Sequence, residues 1–240
     1  MDAIRIALVG VDADDTLWHN ETVYREAERM FCSLLGASGG DEQRALRQQL
    51  LATETANVPR YGYGIKSFVL SMLETAVNRS SERMSTDRVR GIIGVARWMI
   101  EQEVALLDGV APAVRELNRA FPLVLITKGD LLDQRRKLTR SGIGDLFSGI
   151  EVVSEKDERT YEEILLRHGV SPQRFVMIGN SLKSDVLPVV AIGGAAIHVP
   201  YPYEWEHDRL PTDEGHAATD RWVAADRFDQ VPGILDSLGR

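Results

Sequence analysis

Only one cysteine, Cys32, stands among the 240 residues, so no intramolecular disulfide can form and nothing in the chain asks for an oxidising compartment. Set in a helical pattern between Phe31 and Leu34, it reads as a small buried hydrophobe. Long apolar runs are missing as well. Ile6 to Val11 is far too short to span a membrane and follows Asp2 and Arg5 instead of a cleavable signal pattern, so a cytoplasmic location with no membrane partner is expected. Basic residues are outnumbered, 28 Lys and Arg against 36 Asp and Glu, for a formal net charge of −8. Affinity for a phosphate backbone comes from clustered lysines and arginines, so no nucleic-acid partner is expected either. Internal repeats and low-complexity tracts are absent.

What remains is a chain that is 44% hydrophobic and 27% charged, long enough to bury a core in one or two domains. Ile4 to Val11 is a β-branched apolar run ending in acidic residues, the pattern of a strand buried on both faces. Similar runs recur at Leu123 to Ile126, Ile150 to Val153, Phe175 to Ile178 and Ala195 to Val199, with helix-like segments between them. This rhythm predicts an α/β fold with a doubly wound parallel sheet, Rossmann-like in outline. Pro112 opens one intervening helix, Asp130 opens another that Gly142 closes, and a stripe from Tyr161 to His168 ends at Gly169.

Between the first two strands lie about ninety residues whose apolar spacing is helical throughout. Val23, Ala27, Met30, Phe31 and Leu34 form one stripe, and Leu46 and Leu50 belong to a second. Ile65, Phe68, Val69, Met72 and Ala76 form a third, and a long fourth runs from Val89 to Leu107. A structureless loop of that length is improbable, so residues 18–107 are expected to form an inserted all-helical domain, with 1–17 and 108–240 making the α/β core.

Chemistry gathers at the predicted strand ends. Asp12-Ala13-Asp14-Asp15-Thr16 follows the first strand, where open α/β sheets bind ligands, and two carboxylates two residues apart can take different roles in one crevice. Thr127-Lys128-Gly129 follows the second strand and offers a hydroxyl and backbone amides suited to phosphate oxygens. Lys156 follows the third as a cation, and Gly179-Asn180-Ser181-Leu182-Lys183-Ser184-Asp185 follows the fourth with an amide and a carboxylate.

In these four motifs, in this order, the sequence resembles the haloacid dehalogenase superfamily, and the insertion resembles its first type of helical cap. The resemblance implies a magnesium-dependent phosphatase that hydrolyses a small organic phosphomonoester through an aspartyl-phosphate. Asp12 would attack phosphorus and ligate Mg2+; Asp14 would move the proton and reach the metal through its backbone carbonyl. Thr127, Lys128 and Thr16 would serve substrate binding, Lys156 would steady nucleophile and phosphoryl group, and Asp185 would complete the metal site. Asn180 departs from the aspartate many relatives carry there, so it supplies no charge. A sugar phosphomutase of the same superfamily would share these motifs, and a silent metabolite-binding protein could keep the fold, though loss of Asp12 or Asp14 would mark the latter. A dehalogenase would not need the acid at Asp14.

For the leaving group, the glycine-punctuated Tyr61 and Tyr63 and the Trp18 after the catalytic turn are candidate contacts, each equally a packing residue. The aromatic group Tyr201, Tyr203 and Trp205 reads as a loop over the core edge. None names the metabolite, and the sequence leaves monomer and homodimer open.

Overall fold

Each strand of the six-stranded sheet among the described residues runs parallel to its neighbours. The computed structural model describes residues 5–80, 84–203 and 221–238. In chain order the strands are β1 (Leu8–Val11), β2 (Leu123–Lys128), β3 (Gly149–Val153), β4 (Phe175–Gly179), β5 (Ala195–His198) and β6 (Trp222–Ala224). Their order across the sheet is β3-β2-β1-β4-β5-β6. The chain builds outward from β1 one way, then returns to β4 on its other side and builds the opposite way. Open α/β sheets bind ligands at such a reversal, which here falls at the carboxyl ends of β1 and β4.

The doubly wound reading holds, and the alternation of buried side chains gives its physical reason. Val9, Val11, Leu123, Leu125, Val176 and Ile178 face one core, together with Val110, Val114 and Leu117 of α5 (Val110–Ala120) and Leu235 of α9 (Val231–Leu238). Leu8, Val124, Ile126, Phe175 and Met177 face a second core, with Tyr161, Ile164 and Leu165 of α7 (Glu158–His168) and Val189 of α8 (Leu187–Ala191). Strands apolar on both faces need cover on both, which the crossover helices provide. Gly10 falls on the second face, where an added Cβ would stand 2.6 Å from the Phe175 ring. The central strand therefore takes no larger residue there.

Two details differ from expectation. Strand pairing starts at Leu8, while Ile4 lies outside the described residues. The three-residue β6, unforeseen in the sequence, extends the sheet beyond β5.

The chain divides into two units: one holds the residues up to His19, Val104–Lys128 and those from Gln134 on; the other holds Asn20–Glu103 with Gly129–Asp133. The second contains α1 (Glu21–Leu34), α2 (Gly40–Tyr61), α3 (Ile65–Arg79) and α4 (Thr86–Glu101). Its core is built from the predicted stripes, including Phe31, Leu46, Leu50, Phe68, Met72 and Ile92, with Cys32 buried among them. The fourth stripe is shorter than its apolar spacing suggests. α4 stops at Glu101, Gln102 turns extended, and Val104 and Leu107 pack into the core of the sheet unit. Among the described residues no helix is long and apolar enough to cross a membrane.

One carboxylate of the helical unit sits badly. Burial pushes Glu28 of α1 up to about 7; Arg47, 3.9 Å away, pulls it down less strongly, and Glu21 and Glu54 raise it further. The folded state thus holds this proton more tightly than the unfolded chain. The associated stability is complete below the ordinary value of 4.5 and is lost as pH rises through about 7. Glu28→Gln should therefore stabilise the protein at pH 8 by about 1 kcal/mol, discounted for partial exposure, and by nothing near pH 4. Thermal unfolding of both proteins across that range checks it; a gain independent of pH would remove Glu28 as the cause.

Candidate active site

At the end of β1 the Asp12 amide donates to the Ile178 carbonyl of β4 at 2.8 Å, which carries the strand pairing one residue past Val11. The chain then turns sharply. Asp15 adopts a left-handed conformation with φ 61°, which aspartate tolerates better than most side chains. Its amide donates to the Trp18 carbonyl at 2.8 Å, and Leu17 and Trp18 are buried in the sheet core. The turn is thereby pinned from beneath, with Asp12 and Asp14 at its rim.

Asp12 is 6% exposed. Its Oδ2 accepts from Thr16 Oγ1 at 2.8 Å, and its Oδ1 accepts from the ammonium of Lys156. The same ammonium donates to Asp185 Oδ1 at 2.7 Å. Three of the four motifs meet at one lysine: β1, the segment after β3 and the segment after β4. Burial lowers the affinity of Lys156 for its proton, but the charges of Asp12 and Asp185 outweigh it, so its pKa is raised and it stays an ammonium. Burial raises the Asp12 carboxyl to about 7, with Lys156 pulling it down and Asp185 pushing it up. Ionised Asp12 is thus costly here, and it is sustained by the cation beside it.

Asp185 lies in a single π-helical turn, Leu182–Val186, of the kind often found at functional sites. Its Oδ2 accepts from the Ser181 amide at 3.0 Å. Gly179 makes this placement possible: a Cβ there would stand 2.3 Å from the Asp185 carboxylate. Asn180 Oδ1 lies 3.1 Å from the same Thr16 hydroxyl, sharing the one proton that Asp12 takes at the shorter distance, and the Asn180 backbone carbonyl lies 2.9 Å from His198 Nε2. Since a carbonyl only accepts, that imidazole carries its proton on Nε2.

Thr127, 1% exposed at the end of β2, donates through its hydroxyl to the Lys128 carbonyl at 3.2 Å. Lys128 Nζ donates to Ser184 Oγ at 3.0 Å in the π-helical turn, whose Ser184 carbonyl also accepts from Tyr161 OH at 2.9 Å. A lysine on one strand end is thereby tied to the turn bearing Asp185.

Asp14 stands apart from the Lys156 set. Its Oδ1 accepts from Trp18 Nε1 at 2.7 Å and its Oδ2 from Gln134 Nε2 at 2.8 Å, while Lys137 Nζ reaches both oxygens at 3.0 and 3.1 Å. Gln134 and Lys137 belong to α6 (Leu131–Arg140), capped by Asp130, whose Oδ1 accepts from the Asp133 amide at 3.1 Å. Neither was singled out in the sequence; their one signal is the three-residue spacing that puts both on one helix face. Trp18, 1% exposed, packs the core and donates to Asp14.

Tyr61 and Tyr63 belong to the helical unit, Tyr61 ending α2 with half its surface exposed and Tyr63 in the link to α3. Tyr201 OH lies 2.7 Å from His19 Nδ1 and its ring meets Tyr203 edge-on at 6.0 Å; Trp205 lies outside the described residues.

For a divalent cation the donors here are oxygens throughout: the Asp12 and Asp185 carboxylates, converging on one ammonium, and Asn180 Oδ1, drawn in by Thr16. Among the described residues no three or more His, Cys, Asp and Glu side chains gather as a metal cluster. Two carboxylates with neutral oxygens fit a hard cation that keeps some of its water, and not a thiophilic one.

The model of the family described as haloacid dehalogenase-like hydrolase matches residues 6–193. A curated relative, glyceraldehyde 3-phosphate phosphatase of Methanothermobacter thermautotrophicus, is 37% identical over 87 residues, 34% of this chain and 38% of that protein. The chain thus matches little more than a third of the length of the curated relatives it resembles. Among solved structures, a haloacid dehalogenase-like family hydrolase from Xanthomonas campestris is 39% identical, with a TM-score of 0.85 covering 100% of this chain and 94% of that one. The magnesium-bound HAD-hydrolase YfnB of Bacillus subtilis has the same fold at 17% identity, with a TM-score of 0.69 over 97% of this chain and 99% of that one. With the family model spanning most of the chain and a relative matched along nearly its whole length, this chain belongs to the haloacid dehalogenase-like hydrolases.

Proposed function

We propose that the chain is a magnesium-dependent phosphatase that hydrolyses a small organic phosphomonoester through an aspartyl-phosphate on Asp12. The observation that carries this reading is the Asp12 carboxylate itself. It is buried at a strand end, with one oxygen held by Thr16 and the other by an ammonium shared with Asp185. A carboxylate so oriented is a nucleophile with a neutralising cation already in place. The relative that acts on glyceraldehyde 3-phosphate supports phosphoryl chemistry, as does the oxygen-only donor set.

In the first step an Asp12 oxygen bonds to phosphorus and the bond to the ester oxygen breaks, with Asp14 giving its proton to the departing oxygen. In the second, Asp14 takes a proton from water, the water oxygen bonds to phosphorus, and the bond to Asp12 breaks to release phosphate. Thr127 and the backbone beside it grip the phosphoryl oxygens, and Lys156 offsets the charge that gathers on them. Magnesium would be held by Asp12, Asp185, the Asp14 carbonyl and the Asn180 side chain, and would supply the positive charge that lets an anionic ester approach two carboxylates. The helical unit serves as the cap that selects the leaving group and excludes stray water.

Phosphate release from a broad panel of phosphomonoesters, with magnesium and with chelator, tests this. Release that chelator reduces at least a hundredfold is expected. If no ester is cleaved under either condition, the phosphatase reading fails; chelator-resistant cleavage would remove the metal from it.

A further inference from the structure

Gln134 is 2% exposed, and its amide can point only one way. Nε2 donates to Asp14 Oδ2 at 2.8 Å and to the Lys128 carbonyl at 3.0 Å. Turning the amide over would set its oxygen against a carboxylate and a carbonyl, three acceptors with no proton among them. In the orientation that avoids this, Oε1 is buried with no hydrogen-bond partner among the described residues. An unmet buried acceptor is destabilising, and such groups persist mainly where function holds them. A methionine or leucine would fill the same place on α6 without that cost.

The carboxylate it serves is fully engaged. Trp18 and Lys137 donate to Oδ1, and Gln134 and Lys137 donate to Oδ2. Those four contacts match the number of lone-pair positions a carboxylate has. With four donors on it Asp14 carries no proton of its own. It serves as the acid only when one donor withdraws and that oxygen holds the proton taken from water, which it then gives to the leaving oxygen. Trp18 and Gln134 are buried and fixed by packing, whereas Lys137 reaches in on a long, flexible stem and bridges both oxygens. Its contacts are therefore the ones that yield.

We propose that Gln134 is the positioning residue for Asp14, holding Oδ2 with Trp18 as its counterpart on Oδ1, so that the carboxyl faces the leaving oxygen when Lys137 gives way. The proposal rests on the phosphatase reading above. It assigns Gln134 no contact with substrate; its effect on the rate passes through Asp14, since the Lys128 carbonyl that it also meets keeps the Thr127 hydroxyl as donor.

Proton donation matters most when the departing oxygen is a strong base. Phenyl phosphate and p-nitrophenyl phosphate have nearly the same shape, but phenolate is much the poorer leaving group, so comparing them isolates the acid step. Gln134→Met should lower kcat/KM for phenyl phosphate about 30-fold and for p-nitrophenyl phosphate only about threefold, since a general acid contributes 10²–10⁴-fold overall. Inhibition by inorganic phosphate should be unchanged, because Thr127 still donates to the Lys128 carbonyl and the phosphate-gripping strand end keeps its shape. The thermal midpoint should stay level or rise as the orphan acceptor is removed. Combined with Asp14→Asn, Gln134→Met should cost nothing further on phenyl phosphate, as two residues acting through one group are not additive.

An equal loss on both esters, weakened phosphate inhibition or an additive loss in the double variant would each overturn the assignment and leave Gln134 a structural residue. A wild-type enzyme that cleaves neither ester would overturn the phosphatase reading itself, and this inference with it.

Discussion

Asp12→Asn is expected to abolish phosphate release, by about 10⁴-fold or more, while leaving the protein folded. An amide is too poor a nucleophile to attack phosphorus, and among the described residues no nearby side chain is placed to replace it. Thr16 and Lys156 donate to this side chain, Asp185 lies across the lysine, and Asp14 is held by Trp18, Gln134 and Lys137. Folding should hardly notice the change. Burial already raises the Asp12 carboxyl to about 7, so its charge costs the folded state near neutral pH. The amide relieves that cost and its repulsion with Asp185 while giving up part of its attraction to Lys156, so the melting temperature should shift by no more than about 5 °C. Steady-state release and a thermal melt on the same preparations decide the matter. Retention of a tenth of the activity would refute Asp12 as nucleophile, and a collapsed melt would make the loss of rate uninformative about chemistry. In the latter case Asp12→Glu, which keeps the charge and displaces the oxygen, puts the nucleophile to the same test.

What the sequence made legible follows the range of the forces involved. Strand ends are local events: an apolar run stops, a turn begins, and the polar residues in that turn are read directly. Asp12, Thr127, Lys156 and Asp185 could therefore be named before their contacts were known, and the sheet order brings β1, β2 and β4 side by side as parallel pairing requires. Gln134 and Lys137 sit in the charged run Asp133-Gln134-Arg135-Arg136-Lys137, where a solvated helix face is the ordinary expectation. That two of these residues turn inward to Asp14 depends on how α6 rolls against the end of β1, a tertiary matter with no local signature. β6 has the same cause: three residues pair with β5 at the sheet edge, too few to show a period. The fourth helical stripe misled in the other direction. Val104 and Leu107 continue the apolar spacing of α4 by coincidence, while their burial is against the sheet unit's core beside Leu17 and Trp18.

The largest stability effect should come from Lys156→Met. The ammonium is 2% exposed and joins two carboxylates, Asp12 at 9% and Asp185 at 1%. An apolar side chain of similar length fills the space but leaves two buried anions facing each other with no cation between them. Removing one partner of a buried ion pair costs about 3–5 kcal/mol, and here both remaining partners are of one sign. Activity should fall at least about a thousandfold, since the ammonium that offsets charge on the phosphoryl group is gone. The pH dependence has a definite sign. With the lysine gone, the folded state favours protonated carboxyls, so the stability deficit should be small near pH 4 and grow as pH rises towards 8. Magnesium gives a second, independent readout. If Asp12 and Asp185 hold a divalent cation, it can take the ammonium's place, and the melting temperature of Lys156→Met should climb with magnesium concentration more steeply than that of the wild type. That measurement needs no substrate. A variant that melts with the wild type, indifferent to both pH and magnesium, would mean that these carboxylates are not paired through Lys156 and do not form the metal site; a variant destabilised by pH yet blind to magnesium would keep the ion pair and remove the metal from Asp12 and Asp185.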